Sequence, residues 1–278
     1  MRKFRSEYSK ETLFSIITVS YNEIKNIEKT IKSVANQKYK NIEYIIIDGN
    51  SIDGTKDKII EYKNVIDIFI SEKDAGIYDA MNKGIKLASG DAIVLLNSGD
   101  TLDPNYLSYI ASELTCEEIQ STISYSDYVI KFSEIDLLIK KKSVLKTYKM
   151  GICHQTMVVG SKIYKELGEY NLEYKIGSDY DFYLRALFSK RSIFKYHNFI
   201  SVEYKHGGIS SVNKVLSLIE SNKINAKYFN KYQYQRYIFI AYYYWQLISL
   251  VYAKNLIIKF FGYEIFNKIR LIKKKIFS

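Results

Sequence analysis

Asp91-Ala92-Ile93-Val94-Leu95-Leu96-Asn97-Ser98-Gly99-Asp100 sets an unbroken apolar run before a small, oxygen-rich turn. An apolar run of this length closed by turn residues reads as a strand buried on both faces of a parallel sheet. In open α/β sheets, ligands bind outside the carboxyl ends of the strands. Asp100 is therefore expected at a ligand crevice, where a carboxylate can hold a hard divalent cation beside phosphate oxygens. The same residues also suit an Asx-type turn and helix cap, so the flanking sequence has to decide.

Working outward, Leu13–Val19, Ile42–Ile47 and Val65–Ser71 read as further strands. Helical spacing of apolar residues marks a segment opening at Asn22 (Ile24, Ile27, Ile31, Val34), a short one after Asp53-Gly54-Thr55, and Ile77–Ala88. Asp103-Pro104 supplies an N-cap and a first-turn proline for a helix to about Thr115. This β-α-β-α-β-α-β order predicts an α/β fold with a Rossmann-like, mostly parallel sheet flanked by helices. Beyond it, Ile123–Phe132 and Ser143–Tyr148 read as strands, and Tyr164–Tyr170 and Asp179–Phe188 as helices.

The chain has 278 residues, 47% hydrophobic and 26% charged, which suits one large domain or a domain with an appendage. Composition shifts after about Val212, so residues 1–211 are expected as one domain and 212–278 as a helical extension. The net charge is +11, and residues 254–278 carry seven Lys/Arg against one acid. Tyr237–Ala253 is uncharged and aromatic, somewhat short of the roughly 20 apolar residues a spanning helix needs. It reads as an amphipathic or interfacial helix beside a basic tail, suited to an anionic membrane surface; a buried packing helix is the other reading. Basic residues gathered in a tail, rather than interleaved with aromatics along a groove, argue against a nucleic-acid partner. Cys116 and Cys153 form no disulfide framework, and Met1–Ser9 has no apolar signal core, so a cytoplasmic protein peripheral to the inner face of the membrane is expected.

No G-x-G-x-x-G follows the first strand and no G-x-x-x-x-G-K-[ST] occurs, which disfavours dinucleotide and P-loop chemistry. A nucleotidyltransferase would want a glycine-rich basic loop there, and none is present. Instead Phe14-Ser-Ile-Ile-Thr-Val-Ser-Tyr-Asn-Glu23, Ile47-Asp-Gly-Asn-Ser-Ile-Asp-Gly-Thr55 and Asn97-Ser-Gly-Asp100 together resemble family 2 glycosyltransferases of the GT-A fold. Ser71-Glu-Lys-Asp-Ala-Gly-Ile-Tyr-Asp-Ala-Met-Asn-Lys-Gly84 resembles the branch from bacterial capsule, O-antigen and colanic-acid gene clusters. The resemblance covers about residues 13–210.

The resemblance implies an inverting transfer of a hexosyl group from a nucleotide sugar, UDP-linked in preference to dTDP- or GDP-linked, to a polyprenyl-linked or saccharide acceptor. It places the nucleotide on Thr18, Ser20, Tyr21, Glu23 and Asp48, with Gly49 standing where much of the family has a second acid. It places donor sugar or acceptor near Asp79, Asn82, Asn97 and His154. It implies a divalent metal, Mn²⁺ or Mg²⁺, at Asp100, with His206 of the Gly207-Gly208-Ile209-Ser210 loop as a further ligand. Asn97 replaces the first acid of the family's metal motif, so a nucleotide-binding but catalytically degenerate protein is the competing expectation. Gly177-Ser-Asp-Tyr-Asp181 matches the base segment, with Asp179 as the base and Asp181 as the alternate. Two acids at i and i+2 on a helix face different sides.

Overall fold

The computed structural model describes residues 11–132, 137–146, 150–189, 192–205, 207 and 213–229. Among these, β1 (Phe14–Ser20), β2 (Ile42–Asp48), β3 (Ile68–Ser71) and β4 (Ala92–Leu95) form the parallel half of the sheet, in the order β3-β2-β1-β4. The sheet continues antiparallel through β8 (Val158–Gly160) to β6 (Thr122–Phe132). β6 pairs parallel with β9 (Ile193–Lys205) and antiparallel with β7 (Leu137–Lys141), and β5 (Thr101–Leu102) closes the edge against β9. The sheet is thus mixed, its parallel character concentrated in the strands that carry the expected nucleotide residues.

The parallel strands read as apolar runs because both of their faces are covered. Alternate residues enter opposite cores: Ile17, Val19, Ile45, Ile47, Ile93 and Leu95 on one side, Phe14, Ile16, Tyr44, Ile46, Val94 and Leu96 on the other. Helix α3 (Ile77–Leu87) covers the first face and α1 (Ile27–Ala35) the second. Gly84 permits the α3 approach, since a Cβ there would lie 2.4 Å from Ile17 Cγ2. Each fully buried isoleucine contributes about 1.5–3 kcal/mol.

The first helix begins later than its spacing predicts. Asn22 adopts a left-handed φ of 51° and Asn26 is the N-cap, so Asn22–Asn26 form a turn instead of a helical start. After α2 (Thr55–Ile60), Lys63–Val65 is a short 3₁₀ turn, so β3 starts at Ile68 and not Val65. The Asp103 carboxylate accepts the Asn105 amide at 2.8 Å and α4 runs Tyr106–Glu113. It stops there because Thr115 opens α5 (Cys116–Gln120) with a capping box to Glu118. The strand expected at Ser143–Tyr148 is replaced by β7; residues 143–146 are irregular and 147–149 lie outside the described residues. Helix α6 spans Ser161–Leu167, α7 Ser178–Ser189 and α8 Lys214–Phe229. Ile224 and Phe229 of α8 enter the first core, beyond the boundary expected at 211. Tyr237–Ala253, the basic tail and His206 lie outside the described residues. No helix of the described residues is long and apolar enough to cross a membrane.

The acids at the two ends of β4 have different employment. Asp91, at the amino end, accepts the Leu13 amide at 3.0 Å and the Gln120 side chain at 2.8 Å, a purely structural tie. Asp100 stands beyond the carboxyl end, where the ladder with β1 is carried on by Leu96 and Ser98 amides on the Ile17 and Val19 carbonyls.

Candidate active site

The carboxyl ends of β1 and β2 build a polar cradle. Asp48, with no exposure, accepts from the Ser51 amide at 2.9 Å and from the Ser51 and Ser71 hydroxyls. Ser51 in turn accepts the Asn22 amide, binding the turn after β1 to the turn after β2. A Cβ on Gly49 would lie 2.4 Å from Asp74 Oδ2 and 3.2 Å from the Tyr21 ring, so a side chain there would displace the Asp74 carboxylate. Tyr21 is 63% exposed at the rim, while the Ser20 hydroxyl is buried with no partner among the described residues. Thr18 lies beneath, bonded to the Tyr44 hydroxyl at 3.1 Å. Glu23 faces Lys205 Nζ at 3.2 Å.

On the other side of β4 a second cluster assembles from distant parts of the chain. His154, in the 3₁₀ turn His154–Thr156, points Nδ1 at Asp179 Oδ2 (3.4 Å) and Nε2 at the Asn97 side-chain nitrogen (3.4 Å). The Tyr78 hydroxyl lies 3.0 Å from Asp179 Oδ1 and within hydrogen-bond reach of the Ile176 carbonyl. Burial, followed by the charge of Asp179, pushes the Tyr78 phenol well above its ordinary range, so it stays a proton donor. Asp179 remains partly open, at 21% side-chain exposure, in the first turn of α7. Asn97, His154 and Asp179 are thus brought together in one cluster. Asn97 Oδ1 and the Ser98 hydroxyl are buried without partners among the described residues.

Asp100 is 2% exposed. Its Oδ1 accepts the Lys205 amide at 2.8 Å and its Oδ2 accepts Gln155 Nε2 at 3.0 Å, which ties it to the turn bearing His154. Gly99 carries a φ of 99°, and a Cβ on it would lie 2.8 Å from Lys205 Cδ, so the Lys205 stem lies across that turn. Burial raises the Asp100 pKa to about 6, against the opposing Lys205 amide, Gln155 and His154. The folded protein therefore holds a proton that the unfolded chain, with a pKa near 3.8, has already released. Stability from this group is full below pH 4 and lost as pH rises through 6, about 3 kcal/mol in all. His197, whose pKa burial lowers to about 4, acts oppositely over much of that window. The measurement is therefore the difference in unfolding free energy between wild type and Asp100→Asn, which should move against wild type between pH 4 and 6.

No group of three or more His, Cys, Asp or Glu side chains converges among the described residues. Asp100, with the unpartnered Asn97 Oδ1 beside it in the same turn, suits an ion held by one carboxylate plus substrate phosphate oxygens, the usual habit of Mg²⁺. It does not suit a metal caged by protein alone.

Three of the expected residues are occupied elsewhere. The Asn82 amide pairs both ways with the Tyr170 backbone, at 2.9 Å in each direction, so it clamps a loop. Asp79 accepts the Ala75 amide at 3.0 Å and faces Lys83 at 3.4 Å, fixing the start of α3. Asp181, the alternate base, is 1% exposed on the far side of α7, bonded to Arg185 Nε (2.9 Å), Lys227 Nζ (3.2 Å) and the Tyr228 hydroxyl (3.0 Å). The i, i+2 spacing is the reason: Asp179 faces the cleft and Asp181 the α7–α8 interface. Arg185 also donates to the Leu167, Gly168 and Glu169 carbonyls at the end of α6. Asp181→Asn should cost about 2–3 kcal/mol of stability, moderated by the partly exposed cations. It should leave nucleotide affinity unchanged; chemical denaturation and nucleotide titration check both.

Four residues near the site carry no assigned role in the sequence reading. Tyr78, Gln155 and Lys205 each adjoin a residue that was singled out, Asp79, His154 and His206 respectively, and adjacency was the available signal. Glu220 had none.

The glycosyl transferase family 2 profile matches residues 15–166, more than half of the chain. A PGL/p-HBAD biosynthesis glycosyltransferase of Mycobacterium tuberculosis is 28% identical over 212 residues, covering 72% of this chain and 79% of the relative. An uncharacterized glycosyltransferase of the same organism is 32% identical over 183 residues, covering 62% of this chain and 68% of that one. Among solved structures, S. aureus TarS 1-349 in complex with UDP-GlcNAc aligns at TM-score 0.59 and 16% identity, over 78% of this chain and 72% of that one. The longer TarS chain is covered over 43% of its length. The mannosyltransferase PcManGT of Pyrobaculum calidifontis, in complex with GDP-Man and Mn²⁺, aligns at 0.56 and 14%, over 78% and 64%. The fold is GT-A. The chain belongs to glycosyl transferase family 2 and is a glycosyltransferase.

Proposed function

We propose that this glycosyltransferase moves a hexosyl group, with inversion, from a UDP-sugar to a polyprenyl-linked or saccharide acceptor in bacterial surface polysaccharide synthesis. The observation that carries the reading is the convergence of Asn97, His154 and Asp179 beside Asp100, next to the Asp48 cradle, at the carboxyl end of one sheet. The UDP-GlcNAc held by TarS supports the donor class; GDP, held by PcManGT, is the alternative a donor panel separates.

In this reading the nucleotide occupies the cradle, with Tyr21 over the base and Asp48 beneath the ribose side. Asp179 takes the acceptor hydroxyl proton as that oxygen bonds the anomeric carbon. The bond from that carbon to the diphosphate breaks, and its electron pair leaves with the nucleotide. Tyr78 and His154 hold the two Asp179 oxygens, and His154 also braces Asn97. A divalent cation, Mn²⁺ or Mg²⁺, would be held by Asp100 and would neutralise charge on the leaving diphosphate. His206 is proposed as its further ligand. The aromatic segment and basic tail beyond residue 229 are proposed to rest on an anionic cytoplasmic membrane surface, delivering a lipid-linked acceptor.

The test is a panel of nucleotide sugars incubated with purified protein, with and without Mn²⁺ or Mg²⁺, reading nucleotide release. Release from one donor, stopped by EDTA, supports the proposal and names the sugar. Nucleotide binding without release, even with saccharide acceptors, favours the degenerate protein that Asn97 in place of an acid suggests. No binding to any donor overturns both.

A further inference from the structure

We infer that Glu220 of α8 is a positioning residue for Asp179, so that α8 is part of the catalytic apparatus; this rests on the proposed role of Asp179. Glu220 is 4% exposed and its carboxylate spends itself on backbone. Oε1 accepts the Lys175 amide at 2.9 Å, and Oε2 accepts the Ile176 and Gly177 amides, both at 2.8 Å. A buried carboxylate is costly unless its oxygens are satisfied, and three convergent N–H groups satisfy it with no cation among the described residues. These residues are the run-in to α7: the Gly177 carbonyl accepts the Asp181 amide as the first helical bond, and Asp179 is two residues on.

The opposite edge of the same peptide run is held by the site itself. The Ile176 carbonyl lies within reach of the Tyr78 hydroxyl, which also touches Asp179. Glu220 thus fixes the amides of one short segment, and the Tyr78 hydroxyl, with its single proton shared between the Ile176 carbonyl and Asp179 Oδ1, ties the carbonyl edge to the base; the pair set where α7 begins and which way Asp179 points. Gly177 completes the fit, since a Cβ there would lie 3.0 Å from Ile224 Cδ1 and 3.4 Å from Glu220 Cβ. Three further α8 residues grip α7: Asn225 through the Tyr180 hydroxyl, and Lys227 and Tyr228 through Asp181. The chemistry explains why a carboxylate is wanted. Glutamine keeps the shape but turns an amide nitrogen toward backbone donors, so at least one bond becomes a donor–donor clash.

The experiment uses the full chain, with Glu220→Gln, Asp179→Asn and the double variant, hydrolysing the donor that the panel identifies. Glu220→Gln should lower kcat on the order of 10- to 100-fold, the scale of a sub-ångström to ångström misplacement. UDP affinity and donor KM should stay at wild-type values. The double variant should be no slower than Asp179→Asn alone, because Glu220 acts only through Asp179. Wild-type kcat in Glu220→Gln, or losses that multiply in the double variant, would overturn the inference. Amide hydrogen exchange on the wild type reads the contact with no variant at all. Strong protection at Lys175, Ile176 and Gly177 supports it, and exchange at loop rates contradicts it. If no donor is turned over by the wild type, the proposed function fails while the exchange result still judges the contact.

Discussion

Asp179→Asn is expected to lower transfer by on the order of 10² to 10⁴-fold, the usual worth of a positioned general base, with UDP affinity unchanged. The effect should be this large because the surroundings are already arranged for one carboxylate. Tyr78 and the Tyr180 amide meet Oδ1, and His154 meets Oδ2. Asparagine retains the size and the helix position but cannot accept the acceptor's proton. It gives up a first-turn negative charge worth about 0.3–1 kcal/mol, too little to unfold the domain. The contrast with Asp181→Asn separates the two acids: one loses rate and keeps stability, the other loses stability through Arg185 and Lys227. Steady-state rates beside denaturation midpoints decide between them.

The second large effect falls on Asp100. Asp100→Asn is expected to lower turnover on the order of 10²- to 10³-fold, the scale of removing one group that stabilises developing charge, and to remove the dependence on added metal. The pattern of binding matters as much as the rate. With one buried carboxylate and no cluster of acids or histidines among the described residues, the protein alone should hold Mn²⁺ weakly. In the proposed reading the nucleotide diphosphate would supply the missing oxygens, so metal and UDP should each tighten the other by the same factor, as linkage requires. In Asp100→Asn that coupling should disappear. Mn²⁺ titrations with and without UDP measure it; tight Mn²⁺ binding by the nucleotide-free protein would show that ligands beyond these hold the ion.

How far the sequence could be read follows from where each signal lies. β1, β2 and β4 were legible because burial on both faces leaves mostly apolar runs, and the acids after β2 and β4, Asp48 and Asp100, fall where open α/β sheets bind ligands. β8 was not, because Val158–Gly160 is three residues long. β9 was not, because Ile193–Lys205 mixes aromatic, polar and charged residues and skips register opposite Ser126 and Asp127. The helix expected from Asn22 forms, but its start shifts to Ile27 because Asn22 takes a left-handed conformation that spacing cannot reveal. In the site, Asp48, Asn97, Asp100, His154 and Asp179 were marked by motif. Asn82 carried the same marking yet serves the Tyr170 backbone, since a polar residue at a helix start looks alike in either employment. Tyr78 and Glu220 act across contacts 101 and 43–45 residues apart, and no local pattern encodes such a meeting.

The most direct measurement of the central claim is a calorimetric titration of the full chain with UDP, in Mn²⁺ and again in EDTA. The account predicts one site per chain, tight in Mn²⁺ and much weaker in EDTA, and unchanged in Asp179→Asn. Absence of UDP binding in Mn²⁺, with GDP and other nucleoside diphosphates equally silent, would contradict it.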